Sequence, residues 1–251
     1  PPRRAALNGL CTVIQSSKKK GTSDMKVKSL AVMAGLGGSL LMGASAQGAF
    51  TGIAATVENV NIAGFGDADV IRLYACFDNT NDKLNVVFGN QPFPLNFSTD
   101  NGSGFYQDAL GGDSASAQNP ALINLFPELG YDSFLDIGKT LSTQGPDVGF
   151  APGFPPAGWG VGTGLATSNG SWQRTPDDTL SFAGADGKVF FAQITVARGR
   201  RLDGVGNFTT VEDGQSGTNF GVAFNVPAPG ALALLGVAGL VGGRRRRRAW
   251  P

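Results

Sequence analysis

Between residues 47 and 226 the apolar side chains come in short runs, each cut off by Gly, Asn, Asp or Pro before a helix of ordinary length could form. The clearest run is Val189-Phe190-Phe191-Ala192-Gln193-Ile194-Thr195-Val196, rich in β-branched and aromatic residues that suit a pleated surface. Further strands are expected over residues 56–62, 70–77, 84–88, 133–137, 188–198, 208–212 and 219–226. In the second of these, Ile71, Leu73, Ala75 and Phe77 would form a fully apolar face. Val70, Arg72, Tyr74 and Cys76 would form a mixed one. One helix is expected: Asn119 caps it, Pro120 suits its first turn, residues 121–126 fill it and Pro127 ends it. Residues 145–170 carry Gly and Pro with Phe150, Phe154 and Trp159 but no alternation, and read as one long loop. Many short strands with turn-forming joints give the fold class: mainly β, an antiparallel β-sandwich or jelly-roll-like body with one short helix.

The formal charge of +1 conceals three unlike regions. Twelve of the 20 basic residues lie before residue 29 or in the last ten positions. Residues 47–226 keep 8 basic against 18 acidic residues, a net of −10. Such a body repels phosphate, which argues against a nucleic-acid partner. Histidine is absent. Its absence removes every Ser-His-Asp and Cys-His arrangement and the commonest zinc ligand.

The two ends read as addresses. Met25, Lys26 and Lys28 precede an apolar run over residues 30–43, followed by Ala44-Ser45-Ala46. This is the layout of a secretory signal over residues 25–46, with Ala44 and Ala46 as the small residues before a cut at Gln47. Residues 1–24 show no apolar periodicity and read as a non-globular upstream extension. At the other end, Val226-Pro227-Ala228-Pro229-Gly230 forms a stiff hinge over residues 227–230. A short apolar helix over residues 231–243 follows, then Arg244, Arg245, Arg246, Arg247 and Arg248. As a helix, the fourteen residues from Gly230 to Gly243 would span about 21 Å, less than the roughly 30 Å of a hydrocarbon core, and the arginines would face the cytoplasm.

This tripartite tail resembles the PEP-CTERM sorting signal of Gram-negative, biofilm-forming bacteria, with Pro-Ala-Pro where Pro-Glu-Pro is usual. The resemblance covers about 25 residues, 227–251 together with Val226. It implies an exosortase and a signal peptidase as partners, transient residence in the inner membrane, loss of the tail, and delivery to the cell envelope or the extracellular matrix.

Within the body the candidates for chemistry are sparse. Asp78, Asn79, Asn81 and Asp82 directly follow a strand and could wrap a structural Ca²⁺; an Asx-rich hairpin turn is the competing reading, and no other cofactor is expected. Asp67 with Asp69, and Asp177 with Asp178, raise the same question and that of paired carboxylates. Gly112-Asp113-Ser114 is similar to the nucleophile block of GDS-type esterases, but a serine there needs a histidine base. Trp159 and Trp172, with Phe154, could stack on sugar rings, or could pack the loop against a sheet. Cys76, among apolar alternates, reads as a small buried hydrophobe without a disulfide partner in a processed chain. The expected function is therefore non-enzymatic: an exported structural or adhesive protein of biofilm exopolysaccharide. The alternatives are a secreted carbohydrate-binding module and a carboxylate-based hydrolase.

Overall fold

The computed structural model describes residues 49–143 and 145–228. The upstream extension, the signal segment with Ala44, Ala46 and Gln47, and the tail from Pro229 through Gly230 and Arg244 to Arg248 lie outside the described residues. Eleven strands are present among those described: β1 (Phe50–Ile62), β2 (Gly66–Phe77), β3 (Lys83–Gly89), β4 (Leu95–Thr99), β5 (Phe134–Leu135), β6 (Gly149–Phe150), β7 (Leu165–Thr167), β8 (Gly170–Gln173), β9 (Lys188–Ala197), β10 (Leu202–Glu212) and β11 (Gln215–Val226).

All pairings are antiparallel, and they make two sheets. The first runs β1-β2-β9-β5. In the second, β11 pairs the full length of β10, so β3 and β4 must share the other edge of β10, end to end. β8 and β7 then pair β3 and β4 in the same split manner, and β6 closes that edge. The break between β3 and β4 falls at Asn90-Gln91-Pro92-Phe93-Pro94, where two prolines withhold ladder donors.

The sheets pack face to face as a β-sandwich. Ile71, Leu73, Ala75 and Phe77 of β2 point into the main core, as their spacing predicts. Aromatic rings close the gap between the sheets: Phe191 of β9 meets Phe208 of β10 edge-on at 5.3 Å and Phe97 of β4 at 6.4 Å. The outer face of the first sheet is also covered. There Phe190 and Tyr74 pack on Phe134, Ala115 and Leu141 from the long connection between β4 and β6. That double cover explains why eight of the ten residues of β9 are buried.

Several elements differ from expectation. The helix α1 (Pro120–Ile123) has the Asn119 cap and its Ala121 N–H bond but stops after four residues. A 3-10 turn, Pro127–Tyr131, follows, and Leu125 and Phe126 are exposed, so no apolar stripe is available to extend the helix. The strand expected at 133–137 shrinks to two residues. The supposed loop 145–170 contains β6, β7 and the first residue of β8, strands too short for any period to register. Cys76 is fully buried near the end of β2, as expected of a small hydrophobe among apolar neighbours. No helix among the described residues is long and apolar enough to cross a membrane.

Candidate ligand cleft and the polar framework that shapes it

The long β4–β6 connection crosses the first sheet, held by the cluster around Phe134 and by buried polar groups. Asp132 is fully buried. Its Oδ1 accepts from Asp108 N at 2.7 Å, and its Oδ2 accepts from Gly112 N at 3.2 Å and Gln118 Nε2 at 2.8 Å. A Cβ at Gly111 would lie 1.9 Å from that Oδ2, so the chain can pass only as glycine. Burial pushes the Asp132 carboxyl up to about 6, against the pull of those donors. Asp136 is equally buried and is also pushed up to about 6 by burial, which outweighs the opposing Arg174 guanidinium. Arg174 NH2 donates to Asp136 at 2.5 Å, NH1 to Asp178 at 2.8 Å and Nε to the Ile137 carbonyl at 2.5 Å. Asp178 sits below the usual carboxylate range: although burial raises it, the Leu180 N–H and Arg174 prevail.

With the connection fixed, two clefts open on either side of residues 158–163. One, of about 300 Å³, lies between β4, β7 and the 156–159 turn, and is lined by Asn96, Ser98, Trp159 and Thr163 among others. The other, of about 460 Å³, lies between the β1–β2 turn and residues 105–107, and includes Phe65, Tyr106, Gln107 and Val161. Residues 158–163 are seated so closely that a Cβ at Gly104 would stand 2.0 Å from the Gly160 carbonyl oxygen. Phe65 packs its ring 5.1 Å from that of Tyr106, tilted by 58°, and stays 38% exposed. The Tyr106 hydroxyl donates to Asp108 Oδ2 at 2.9 Å. Burial and that neighbouring carboxylate push its titration above the ordinary tyrosine range.

Of the stacking residues named from sequence, Trp159 borders the smaller cleft, while Trp172 and Phe154 line neither. Trp172 is fully buried on β8, its Nε1 donating to the Phe191 and Asp136 carbonyls, and its ring is stacked on Phe154 at 5.9 Å. Trp159 is 5% exposed; its Nε1 donates to Asp113 Oδ1 at 2.6 Å and its edge rests on Phe105. Packing, the competing reading, is what the fold uses these three rings for: closing the sandwich buries more apolar area than leaving the indoles on the surface.

Most of the acidic candidates hold hydrogen-bond or ion-pair partners within the fold. Asn79 Oδ1 accepts from Asn81 N and its Nδ2 donates to Asp213, which is an Asx turn. Asp78 Oδ1 accepts from Ala49 N and Asp82 Oδ1 from Asp213 N. Asp82 is fully buried, its Oδ2 lacks a partner, and burial plus the nearby Asp213, Glu212 and Asp78 raise its carboxyl above the ordinary value. Among the described residues no group of three or more Cys, Asp or Glu could share a metal ion. Asp67 and Asp69 pair with Arg198 at 3.0 and 3.8 Å, while Asp178 caps the 3-10 turn Thr179–Ser181 beside an exposed Asp177. Asp113 anchors Trp159, and the neighbouring Ser114 hydroxyl accepts from Ala117 N. Val226, Pro227 and Ala228 of the hinge are the described part of the tail, with Val226 buried as the last residue of β11.

Sequence reasoning missed Phe65, Tyr106 and Gln107. The one available signal was Phe65 standing between Gly64 and Gly66, a large ring at a turn where nothing adjacent in sequence could cover it. Against known proteins, the chain matches no family model, no curated protein and no solved structure.

Proposed function

We propose that this is an exported, non-enzymatic protein whose β-sandwich is carried through the inner membrane between a cleavable signal and a PEP-CTERM-like tail. It would be released to the cell envelope or extracellular matrix to act there as a structural or adhesive component. The observation carrying this reading is a coincidence of boundaries. The first strand begins at Phe50, three residues after the cut expected at Gln47, and the last strand ends at Val226, immediately before the Pro227 hinge. A sandwich whose hydrogen-bonded ladder stops at both expected processing points would survive loss of both ends, because no buried strand residue is removed. The acidic body suits a crowded, hydrated matrix, where like charge keeps copies apart.

The test is the intact mass of the protein recovered from producing cells. Loss of residues up to Ala46 together with the segment carrying Arg244 to Arg248 supports the reading. A mass retaining residues 230–248, or a soluble cytosolic chain with neither end trimmed, sinks it.

A further inference from the structure

We propose that the open edge of β11 is a self-association surface: two copies of this chain pair their β11 strands antiparallel about a twofold axis, joining their second sheets into one. Among the described residues, β11 has β10 along one edge and no strand along the other. Such an edge presents every second N–H and C=O unpaired, and natural chains usually guard it with charge or proline. β11 carries neither. Of the five strands ten or more residues long, it alone has no Asp, Glu, Lys or Arg. Near its middle Phe220 stays 51% exposed, its ring 5.1 Å from that of the exposed Phe93 and 6.1 Å from that of Phe88.

What selects a second copy is the match of this strand to itself. Opposed residues of an antiparallel pair put their side chains on the same face, and faces alternate along a strand. A regular strand with an even number of residues therefore cannot pair with its own copy over its full length. In the twelve residues of β11 one inserted residue removes that obstacle. The ladder to β10 steps from Phe208↔Asn219 to Gly206↔Val222, which leaves Phe220 and Gly221 opposite Asn207, a bulge with Gly221 at φ 60°. Even-numbered Phe220 thus faces outward while even-numbered Phe224 and Val226 lie in the core. With the axis between Phe220 and Gly221, the two copies meet like face to like face. Phe220 of one lies against Gly221 of the other, Phe224 against Gly217 and Thr218 against Ala223, the larger group over the smaller each time. Charge agrees with this choice. Two bodies at −10 repel one another, so contact falls to a strip where no charge meets its like, and the pairing is reversible, with dilute chain monomeric.

Self-pairing gives the proposed structural role a physical means but does not depend on export, so the two readings fail separately: processing is read by mass and pairing by sedimentation and cross-linking. The full chain is followed by sedimentation velocity across concentration and salt. A concentration-dependent dimer is expected, strengthened by added salt because screening relieves the repulsion between acidic bodies. Thr218→Lys, which sets like charges beside the axis, should weaken it by about tenfold or more, while Thr56→Lys, the same change of charge at an exposed position of β1, leaves it unaltered. Association through the apolar ends is told apart because it ignores both variants. Register is read by mixing Ser216→Cys chains with Asn225→Cys chains under oxidation: the linked peptide should join 216 to 225, ahead of 216 to 216 or 225 to 225. Thermal unfolding midpoints report whether each variant keeps the fold. A monomer at every concentration, association indifferent to Thr218→Lys in folded protein, or a link mainly between 216 and 216 overturns the proposal. So does slow exchange of the edge amides of β11 in dilute monomer, which would place a segment of the same chain on that edge.

Discussion

β9 and β11 are both long strands, legible as such from their residues, yet the fold treats them oppositely. Eight of ten residues of β9 are buried, against two of twelve in β11. β9 carries Val189, Phe191 and Ile194 toward the other sheet and Phe190 toward the β4–β6 connection. β11 carries Gln, Ser, Gly, Thr and Asn through its first half and has a neighbour, β10, on one edge only. Burial on two faces thus needs an apolar strand and also a second cover. Here the second cover joins a small apolar cluster around Phe134 to a framework of buried charged and amide groups.

The contrast can be broken most severely at Arg174. Replacing it by Ala leaves Asp136 buried beside an empty cation site and should cost about 3–5 kcal/mol, measured by urea unfolding. Phe191→Ala, which empties the centre of the doubly covered strand, should cost about 3–5 kcal/mol in the same assay. A smaller loss for Phe191 than for an exposed ring of β11 would show that the cover over β9 is not what stabilises the sandwich.

The polar cover should also be sensitive to pH. Asp132 and Asp136 titrate near 6 when folded and near 3.8 when unfolded, so the folded state holds their protons more tightly. Their contribution is fully present below pH 3.8 and is lost as pH rises through 6. At about 1.4 kcal/mol per unit, the Asp132 share is on the order of 2–3 kcal/mol. Unfolding midpoints compared at pH 4.5 and 7.5 should fall with rising pH, and Asp132→Asn should flatten the slope. A midpoint that rises over this interval would contradict the assignment.

The smallest effect is expected on β11. Phe220 is 51% exposed, and Phe220→Ala should shift stability by no more than about 0.5 kcal/mol. Hydrogen exchange sharpens the same comparison: amides of β9 should be the slowest to exchange, while amides on the unpaired edge of β11 should exchange fastest among strand residues.

Much of the fold could be read from side-chain order. The Ile71, Leu73, Ala75 and Phe77 alternation named the inner face of β2, and the dense run at 189–196 named the central strand. β4 was missed although Leu95, Phe97 and Thr99 alternate inward, because five residues are a weak period and the preceding Pro92 and Pro94 read as loop. The site was almost illegible. Trp159 and Trp172 drew attention by residue type, but whether a ring faces solvent or core is settled by what packs on it.

Local pattern alone therefore determined the mainly β class, the inner face of β2, the acidic body and the cap of the short helix, since each depends on neighbours within a few positions. Only the tertiary structure decided that Asp132, Asp136 and Arg174 form a buried framework and that Phe65 meets Tyr106 across 41 residues of chain. Those contacts join segments distant in sequence, and no periodicity records which turn a sheet will bring beside which loop.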